Sequence, residues 1–370
     1  MKKTLLAVAL AAGFAGAAQA ETSVTLYGLI DAGVGYNQIK GPGGNKQSRI
    51  GAVDGVSSGS RFGLRGVEDL GDGLSAVFQL EGGFSPNNGN SSQGGRLFGR
   101  QATVGLQSDS WGRLDFGRQT NLASKYFSAI DPFSLSYDTA NMGATFGSAN
   151  TMRLDNMVLY QTPSFSGLKF GIGYSFNADD NNDNSGGNFQ TGDNNRVLTT
   201  GLQYINGPLT LAASYDRMNP DNSTAGGKND GHIQQYIVGG AYDFEVVKVS
   251  AAFSQTRDGW FVSTNLDTLP TGVQNYGNFR TVDGFRANSY LLGLSVPLGA
   301  HKVFASWQRA DAKNDRLTGD DATTNIYSLG YTYDLSKRTN LYAYASYGDN
   351  YAFQEDVRST AVAVGLRHRF

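Results

Sequence analysis

The sequence predicts an all-β fold, a transmembrane antiparallel β-barrel of about sixteen strands. Apolar and polar residues alternate with a period of two along most of the chain, which is typical of strands with one apolar and one polar face. Short and long polar connectors take turns between these strands. Beyond the N-terminal leader, no apolar stretch reaches the length of a membrane-spanning helix. A sheet that crosses a bilayer must close on itself, because lipid offers no partner to an unpaired backbone group.

The N-terminal leader precedes the alternating pattern. Residues 1–20 carry a positively charged start, an apolar run and a small-residue ending, Ala18-Gln19-Ala20. This pattern predicts a cleaved secretion signal, and the apolar run is too short to serve as a membrane anchor. No linker or shift of composition divides residues 21–370, so we expect them to form a single barrel domain.

The composition excludes several classes of function. The chain has 30 basic and 32 acidic residues, and two of the lysines lie in the leader. A general nucleic-acid binder would need a strongly basic face, so we expect no nucleic-acid partner. Cysteine is absent, which excludes disulfides and thiolate metal sites. We expect no cofactor and no bound metal.

The alternation of residue type is clearest in residues 167–177, where Leu168 through Phe176 place an apolar side chain at every second position. The same pattern recurs in residues 74–81, 247–254, 327–334 and 361–370. The opposite face carries glycine and charge rather than core residues; in the last segment it includes Arg367 and Arg369. A spanning sheet can have such a polar face only if the barrel interior is wet.

The connectors predict the direction of the strands. The short connectors are residues 69–73, 109–112, 206–208 and 297–299. The long connectors are residues 37–48, 85–95, 119–155, 178–195, 219–231, 259–285 and 313–322. Alternation of this kind predicts an even number of strands, with short turns at one end of the barrel and long loops at the other. A soluble β-sandwich would also alternate in residue type, but its connectors would not alternate so regularly in length.

Four segments and the final phenylalanine resemble the trimeric general porins of Gram-negative bacteria, in particular their β-proteobacterial branch. The segments are SVTLYG at 23–28, SRFGLRGVEDLG at 60–71, GRQATVGL at 99–106 and GRLDFGR at 112–118. The resemblance covers the whole chain after the leader. It rests on the order and spacing of these segments along one alternating chain.

The resemblance implies a multi-pass outer-membrane porin, with a water-filled channel for passive diffusion of ions and small hydrophilic solutes. It also implies a sixteen-stranded barrel, a homotrimer, and a third extracellular loop that folds into the lumen as a constriction. Phe370 would be the signal for the outer-membrane assembly machinery, and the outer surface would meet lipid and lipopolysaccharide. A substrate-selective channel and an adhesin or receptor barrel are the alternative functions.

The resemblance further implies a constriction in which arginines of the barrel wall face carboxylates of the inward loop. The wall candidates are Arg61, Arg65, Arg100, Arg118 and Arg153, and the loop candidates are Asp131 and Asp138. The loop, residues 119–155, contains no glutamate. Arginines that outnumber the opposing carboxylates favour a weak preference for anions.

Arg100 conflicts with the alternation of its own segment. It shares its parity with Ala102, Val104 and Leu106, which we interpret as the outward face. A position in the lumen would therefore require a β-bulge, or a place beyond the membrane-spanning part of the strand.

Two weaker signals point to other functions. Residues 178–184 are rich in oxygen ligands, but the segment lacks the closing glutamate of a calcium-binding EF-hand loop. A hydrolase would need a base near a serine nucleophile, whereas the histidines, His232, His301 and His368, lie at a strand start, after a short turn and in the last strand, where surface or interface positions are expected. We therefore expect a solvated loop and no enzymatic activity.

Overall fold

The computed structural model describes residues 23–179, 194–221, 231–262 and 269–370. These residues form a closed antiparallel barrel of sixteen strands, in which each strand pairs with its neighbours in the chain and the last strand pairs with the first. The predicted all-β barrel is confirmed. Within the described ranges, no helix has both the length and the apolar composition needed to cross a membrane.

Two strands, β2 and β6, are each interrupted once, so that eighteen strand segments make sixteen strands. The strands are β1 (Ser23–Lys40), β2 (Lys46–Asp54 and Arg61–Gly71), β3 (Leu74–Gly83), β4 (Gln101–Ser108), β5 (Gly112–Thr120), β6 (Arg153–Leu154 and Met157–Gln161), β7 (Leu168–Ser175), β8 (Arg196–Asn206), β9 (Leu209–Asn219), β10 (Ile233–Asp243), β11 (Lys248–Trp260), β12 (Arg280–Leu298), β13 (His301–Ala312), β14 (Thr323–Asp334), β15 (Thr339–Asp349) and β16 (Arg358–Arg369).

The barrel closes where β1 meets β16. Residues from Leu29 to Lys40 pair with residues from Arg369 back to Arg358 without a break in register. The first half of β1 pairs with the second segment of β2, and its second half pairs with the first segment. Both edges of the sheet are therefore satisfied, as a bilayer requires.

The two ends of the barrel differ, as the connectors predict. Turns such as Gly207-Pro208 and Gly299-Ala300 join strands at one end, which we call the turn end. Longer connectors join strands at the opposite loop end. The alternation in residue type separates the two faces: Val362, Val364 and Leu366 of β16 are exposed on the outside, as the lipid-facing residues of a membrane barrel must be.

Two predicted loops are shorter than expected. Residues 37–48 were expected to form a long connector, but β1 and β2 stay paired through Lys40 and Lys46, and only residues 41–45 turn. Gly43 has a φ of 70°, which a tight turn through Pro42–Gly44 requires. In the predicted loop 259–285, β12 already begins at Arg280. Polar strand residues continue the sheet beyond the membrane in both places, which residue alternation alone does not reveal.

Candidate functional site

Residues 121–152, which we call the inner loop, leave the wall after β5 and cross the barrel interior before β6 begins. The inner loop starts with α1 (Leu122–Phe127), which is capped by Asn121: its side-chain oxygen accepts a hydrogen bond from the Ser124 amide at 3.2 Å. Three 3₁₀ turns follow, at Asp138–Ala140, Met142–Ala144 and Gly147–Ala149. The described residues of the inner loop build a core inside the barrel.

One side of the inner loop forms an apolar core with the wall. The side chains of Leu122, Phe127 and Phe146 are fully buried there. The wall contributes inward-facing apolar residues in place of the usual polar ones, among them Val197, Met218, Ile233 and Ile237. Packed side chains fill the space between this side of the inner loop and the wall.

Buried hydrogen bonds fix the inner loop to four strands of the barrel. The side-chain nitrogen of Asn121 donates to the Asp216 carboxylate of β9 at 2.9 Å, and the backbone amide of Ser148 donates to the side chain of Gln235 of β10 at 2.7 Å. Ser289 of β12 donates to the Thr145 carbonyl at 2.5 Å. Thr145 also donates to Gln308 of β13, 2.8 Å away, and Gln308 in turn donates to the Ala140 carbonyl. These contacts join distant parts of the chain and hold the inner loop across the lumen.

The far side of the inner loop meets the interruption of β2. Residues 55–60 leave the ladder there, and Tyr137 docks onto them: its amide donates to the Val56 carbonyl at 2.7 Å, and its hydroxyl accepts from Ser57 at 2.9 Å. Buried Asp31 of β1 holds the same stretch through the Ser58 amide, at 2.6 Å. The Tyr137 ring also packs edge-on against Phe304 of β13.

The open part of the lumen lies between this interruption, the inner loop and the wall of β13 to β16. It forms a cavity of about 750 Å³. Among the described residues that line it, two are acidic, Asp138 and Asp334. Eight are basic: Arg61, Arg100, Arg153, Lys302, Lys337, Arg338, Arg367 and Arg369. The cavity is therefore strongly cationic although the whole chain is slightly acidic.

Three of the arginines expected from the sequence come together in this cavity. The Arg100 guanidinium donates to Glu81 of β3 at 2.6 Å, and Arg61 lies 3.9 Å from the same carboxylate. Arg153 is close enough to both to interact with them electrostatically. One carboxylate therefore serves three cations, and most of the positive charge remains available to the lumen.

Arg100 reaches the lumen without breaking the alternation of β4. Strand β4 begins at Gln101, so Arg100 lies just before the alternating residues rather than among them. Its amide donates to the Glu81 carbonyl at 3.1 Å, and its side chain joins the lumen cavity. The outward parity of Val104 and Leu106 is preserved, since both are exposed on the outer face.

Arg65 and Arg118 lie outside the described lining of the cavity. Arg65 is exposed and lies four residues along β2 from Arg61, toward the turn end. Its guanidinium is 5.5 Å from the centre of the Tyr27 ring. The Arg118 guanidinium donates to Asp155 at 2.5 Å and to the Gly99 carbonyl at 2.8 Å. Arg118 thus fastens β5 to its surroundings.

The two loop carboxylates have different surroundings. Asp138 lines the cavity. Asp131 is buried within the inner loop, where its carboxylate accepts hydrogen bonds from the amides of Phe133, Leu135 and Met142 at 3.2, 2.9 and 3.1 Å. Burial raises the pKa of Asp131 to about 6, although these amide donors act in the opposite direction.

A second, smaller part of the lumen lies below α1 near the turn end. Lys125 of α1 and Lys169 of β7 line it, together with Arg113 and Asp115. Arg113 and Asp115 neutralise each other through hydrogen bonds of 2.7 and 2.8 Å. Burial lowers the pKa of Lys125 to about 8, because the charged ammonium is costly in this enclosed position.

Sequence reasoning missed the five basic residues near the turn end: Lys302, Lys337, Arg338, Arg367 and Arg369. A signal existed for the last two, which occupy the polar face of the final alternating segment. The other three lie in or beside short turns, where no alternation defines a face. Glu81 was visible in the same way, on the polar face of residues 74–81.

The remaining predicted residues have local partners. Phe370 exchanges two backbone hydrogen bonds with Gly28, of 3.1 and 3.2 Å. The His301 ring nitrogen lies 2.6 Å from the Tyr331 hydroxyl, and that of His368 lies 2.8 Å from the Thr339 hydroxyl. Most of the oxygen-rich segment 178–184 lies outside the described residues. Among those described, no group of three or more metal-ligating side chains could hold an ion.

Known proteins share this architecture and much of this sequence. A family described as Gram-negative porin matches residues 7–352. An outer membrane porin protein of Bordetella pertussis is 59% identical, and outer membrane porin protein 32 of Delftia acidovorans is 33% identical; both alignments cover 100% of each chain. The solved anion-selective porin from Comamonas acidovorans superposes with a TM-score of 0.72 and 28% identity, over 95% of this chain and 100% of that one.

Proposed function

Since the chain belongs to the Gram-negative porin family and is a multi-pass outer-membrane porin, we propose that its water-filled channel prefers anions and that Arg61, Arg100 and Arg153 set this preference. In such barrels the turn end faces the periplasm and the loop end faces the outside of the cell. Ions and small hydrophilic solutes would cross by passive diffusion through the cavity beside the inner loop. We expect no enzymatic activity.

The charge of the cavity carries this proposal. Eight basic and two acidic side chains line it among the described residues. A narrow aqueous path with low-dielectric walls concentrates the field of such charges, which raises the local concentration of anions and lowers that of cations. The similar porin from Comamonas acidovorans is anion-selective, which supports the same sign of selectivity here.

The proposed constriction differs in part from the arrangement that the sequence suggested. Arg61, Arg100 and Arg153 form its wall, and Asp138 is the loop carboxylate that faces them across the cavity. Arg65 adds positive charge toward the turn end. Arg118 and Asp131 act by holding the wall and the inner loop in shape, because their charged groups are occupied by Asp155 and by backbone amides.

The reversal potential of single channels across a potassium chloride gradient tests this proposal. We expect chloride to be more permeant than potassium, and we expect Arg61→Gln with Arg100→Gln to lower the chloride preference several-fold. Arg257→Gln serves as the control, since this exposed residue lies outside the described lining of the cavity. A cation-selective wild-type channel would refute the proposal.

We also propose that the porin is exported with removal of residues 1–20 and assembles as a homotrimer in contact with lipid and lipopolysaccharide. Phe370 is proposed as the residue that the assembly machinery reads. The resemblance to trimeric general porins supports these steps. The particle mass in mild detergent tests the oligomer: we expect three chains, and a particle of monomer mass would contradict it.

A further inference from the structure

A group of basic residues lies between the proposed constriction and the turn end, apart from Arg61, Arg100 and Arg153. We call it the turn-end cation cluster, and it consists of Lys302, Lys337, Arg338, Arg367 and Arg369. The residues come from β13, the connector between β14 and β15, and β16. Pairing of these consecutive strands brings the residues to one wall of the lumen.

Among the described residues, the cations of this cluster form no close ion pairs, although Arg367 interacts electrostatically with Asp31 and Asp334. In the described part of the chain, none of the five forms an ion pair within 4.0 Å. The carboxylate of this section of the lining is Asp334. At the constriction, in contrast, Arg61 and Arg100 share Glu81. The turn-end cluster is therefore the larger unmatched charge.

Local contacts fix the cluster in place. Arg367 donates to the Ser58 hydroxyl at 2.9 Å, which ties it to the interruption of β2. The Arg369 amide donates to the Arg338 carbonyl at 2.8 Å, so the end of β16 is joined to the turn. Within that turn, the Ser336 hydroxyl accepts hydrogen bonds from the amides of Arg338 and Thr339 at 3.2 and 3.1 Å. The backbones that carry these side chains are thus held before any ligand arrives.

The cluster continues the positive charge of the constriction. Arg367 interacts electrostatically with Arg61 on one side and with Arg369 on the other. At the loop end, one surface cavity is lined by acidic residues instead: Asp315, Asp320, Asp321 and Glu355. Positive charge thus extends from the constriction to the turn end of the lumen, where it favours an anion.

We infer that the turn-end cation cluster is a binding site for soluble multivalent anions of the phosphate or polycarboxylate class, which enter it from the periplasm. Guanidinium groups bind the paired oxygens of such anions through two parallel hydrogen bonds, and ammonium groups add charge. Five cations without close ion pairs among the described residues suit a ligand with several negative charges better than chloride. This site rests on the proposed function only in that the channel is open.

Block of the channel from each side by inorganic pyrophosphate tests this site. The chain has no cysteine, so Lys46→Cys with biotin and streptavidin identifies the loop end of each inserted channel. We expect half-block of the chloride current at a pyrophosphate concentration at least tenfold lower on the turn-end side. Lys337→Gln with Arg338→Gln should raise that concentration toward the loop-end value.

A matched double variant separates this site from a general effect of charge. Lys313→Gln with Arg316→Gln also removes one lysine and one arginine, but at the loop end, and should leave the turn-end block unchanged. Heat-modifiable migration on gels establishes that each barrel is folded; the single variants replace the double one if it fails. Equal block from both sides, or turn-end block that survives Lys337→Gln with Arg338→Gln, would overturn the inference. A cation-selective reversal potential in potassium chloride would refute the proposed selectivity while leaving this comparison decisive.

Discussion

The inner faces of the two halves of the lumen carry different kinds of residue. On the side of β7 to β12, inward-facing residues such as Val197 and Ile237 are apolar and form a packed core with Leu122 and Phe127 of the inner loop. On the side of β13 to β16 and β2, the inner face carries a smaller aromatic core that includes Phe304, and basic residues that line an open cavity. A single strand alternation produces both walls, because alternation separates the faces without deciding what the inner face contains.

The difference shows how a barrel of fixed width obtains a narrow pore. The inner loop uses one wall as a protein core, and its remaining surface becomes the second wall of the channel. Packing then holds the inner loop, and the charged wall is free to determine which solutes pass. Perturbing each half should therefore change a different property of the channel.

The largest effect is expected from Phe127→Ala in the packed half. Phe127 is fully buried, and removal of a buried phenylalanine ring costs about 3–5 kcal/mol. We expect the inner loop to loosen, so that single-channel recordings show a larger and noisier conductance. The chloride preference should fall less than in the arginine variants.

Phe165→Ala is the matched control, because Phe165 is 60% exposed in a connector at the turn end. It removes the same ring without opening a cavity in the core. Conductance and noise like those of the wild type in Phe127→Ala would mean that the apolar core does not hold the inner loop in place.

An intermediate effect is expected from the protonation of Asp131. Its pKa is raised to about 6, so Asp131 binds a proton more tightly in the packed inner loop than in an inner loop released from the wall. The resulting contribution to packing is fully present below about pH 4 and is lost as the pH rises through 6; it is at most roughly 3 kcal/mol. We expect current noise to increase from pH 4 to pH 7.5.

Asp131→Asn abolishes this titration while keeping the shape of the side chain. The part of the pH profile that belongs to Asp131 is the difference between wild type and variant, since other groups titrate in both. Identical profiles would show that the inner loop is insensitive to this carboxyl group.

The smallest effect is expected from Tyr137→Phe at the boundary of the open half. The variant removes one buried hydrogen bond, from Ser57, and keeps the aromatic packing and the backbone contact to Val56. A loss of about 1 kcal/mol should raise the frequency of brief closures slightly. Tyr347→Phe, on an exposed ring, is the control. A change as large as that of Phe127→Ala would mean that both halves hold the inner loop equally.

Residue alternation predicted the barrel, its directions and most of its turns, because a bilayer permits few sheets. It did not predict where strands continue beyond the membrane. Residues 37–48 illustrate the reason: polar side chains occupy both faces there, yet β1 and β2 still pair to Lys40 and Lys46. Backbone pairing alone extends the strands, and it leaves no pattern of side chains.

The site was less accessible to sequence reasoning. Arg61 and Arg100 could be named from motifs, but which carboxylate meets them depends on pairing between strands, and it is Glu81 of the wall. Asp131 has the right residue type and the right segment, yet its carboxylate turns into the loop. Lys302, Arg338 and Arg367 are separated in the chain and come to line one cavity only through the pairing of β13 to β16.

The pairing of β1 with β16 has a consequence for the route by which the barrel reaches the membrane. Its hydrogen bonds join opposite ends of the described chain, so we expect them to form after the other strand pairs. Until they form, two strands present rows of unpaired amides and carbonyls, each costing several kcal/mol in hydrocarbon. An open sheet is thus barred from the bilayer interior. Insertion and closure must be a single event, or the two edges must stay covered until they meet.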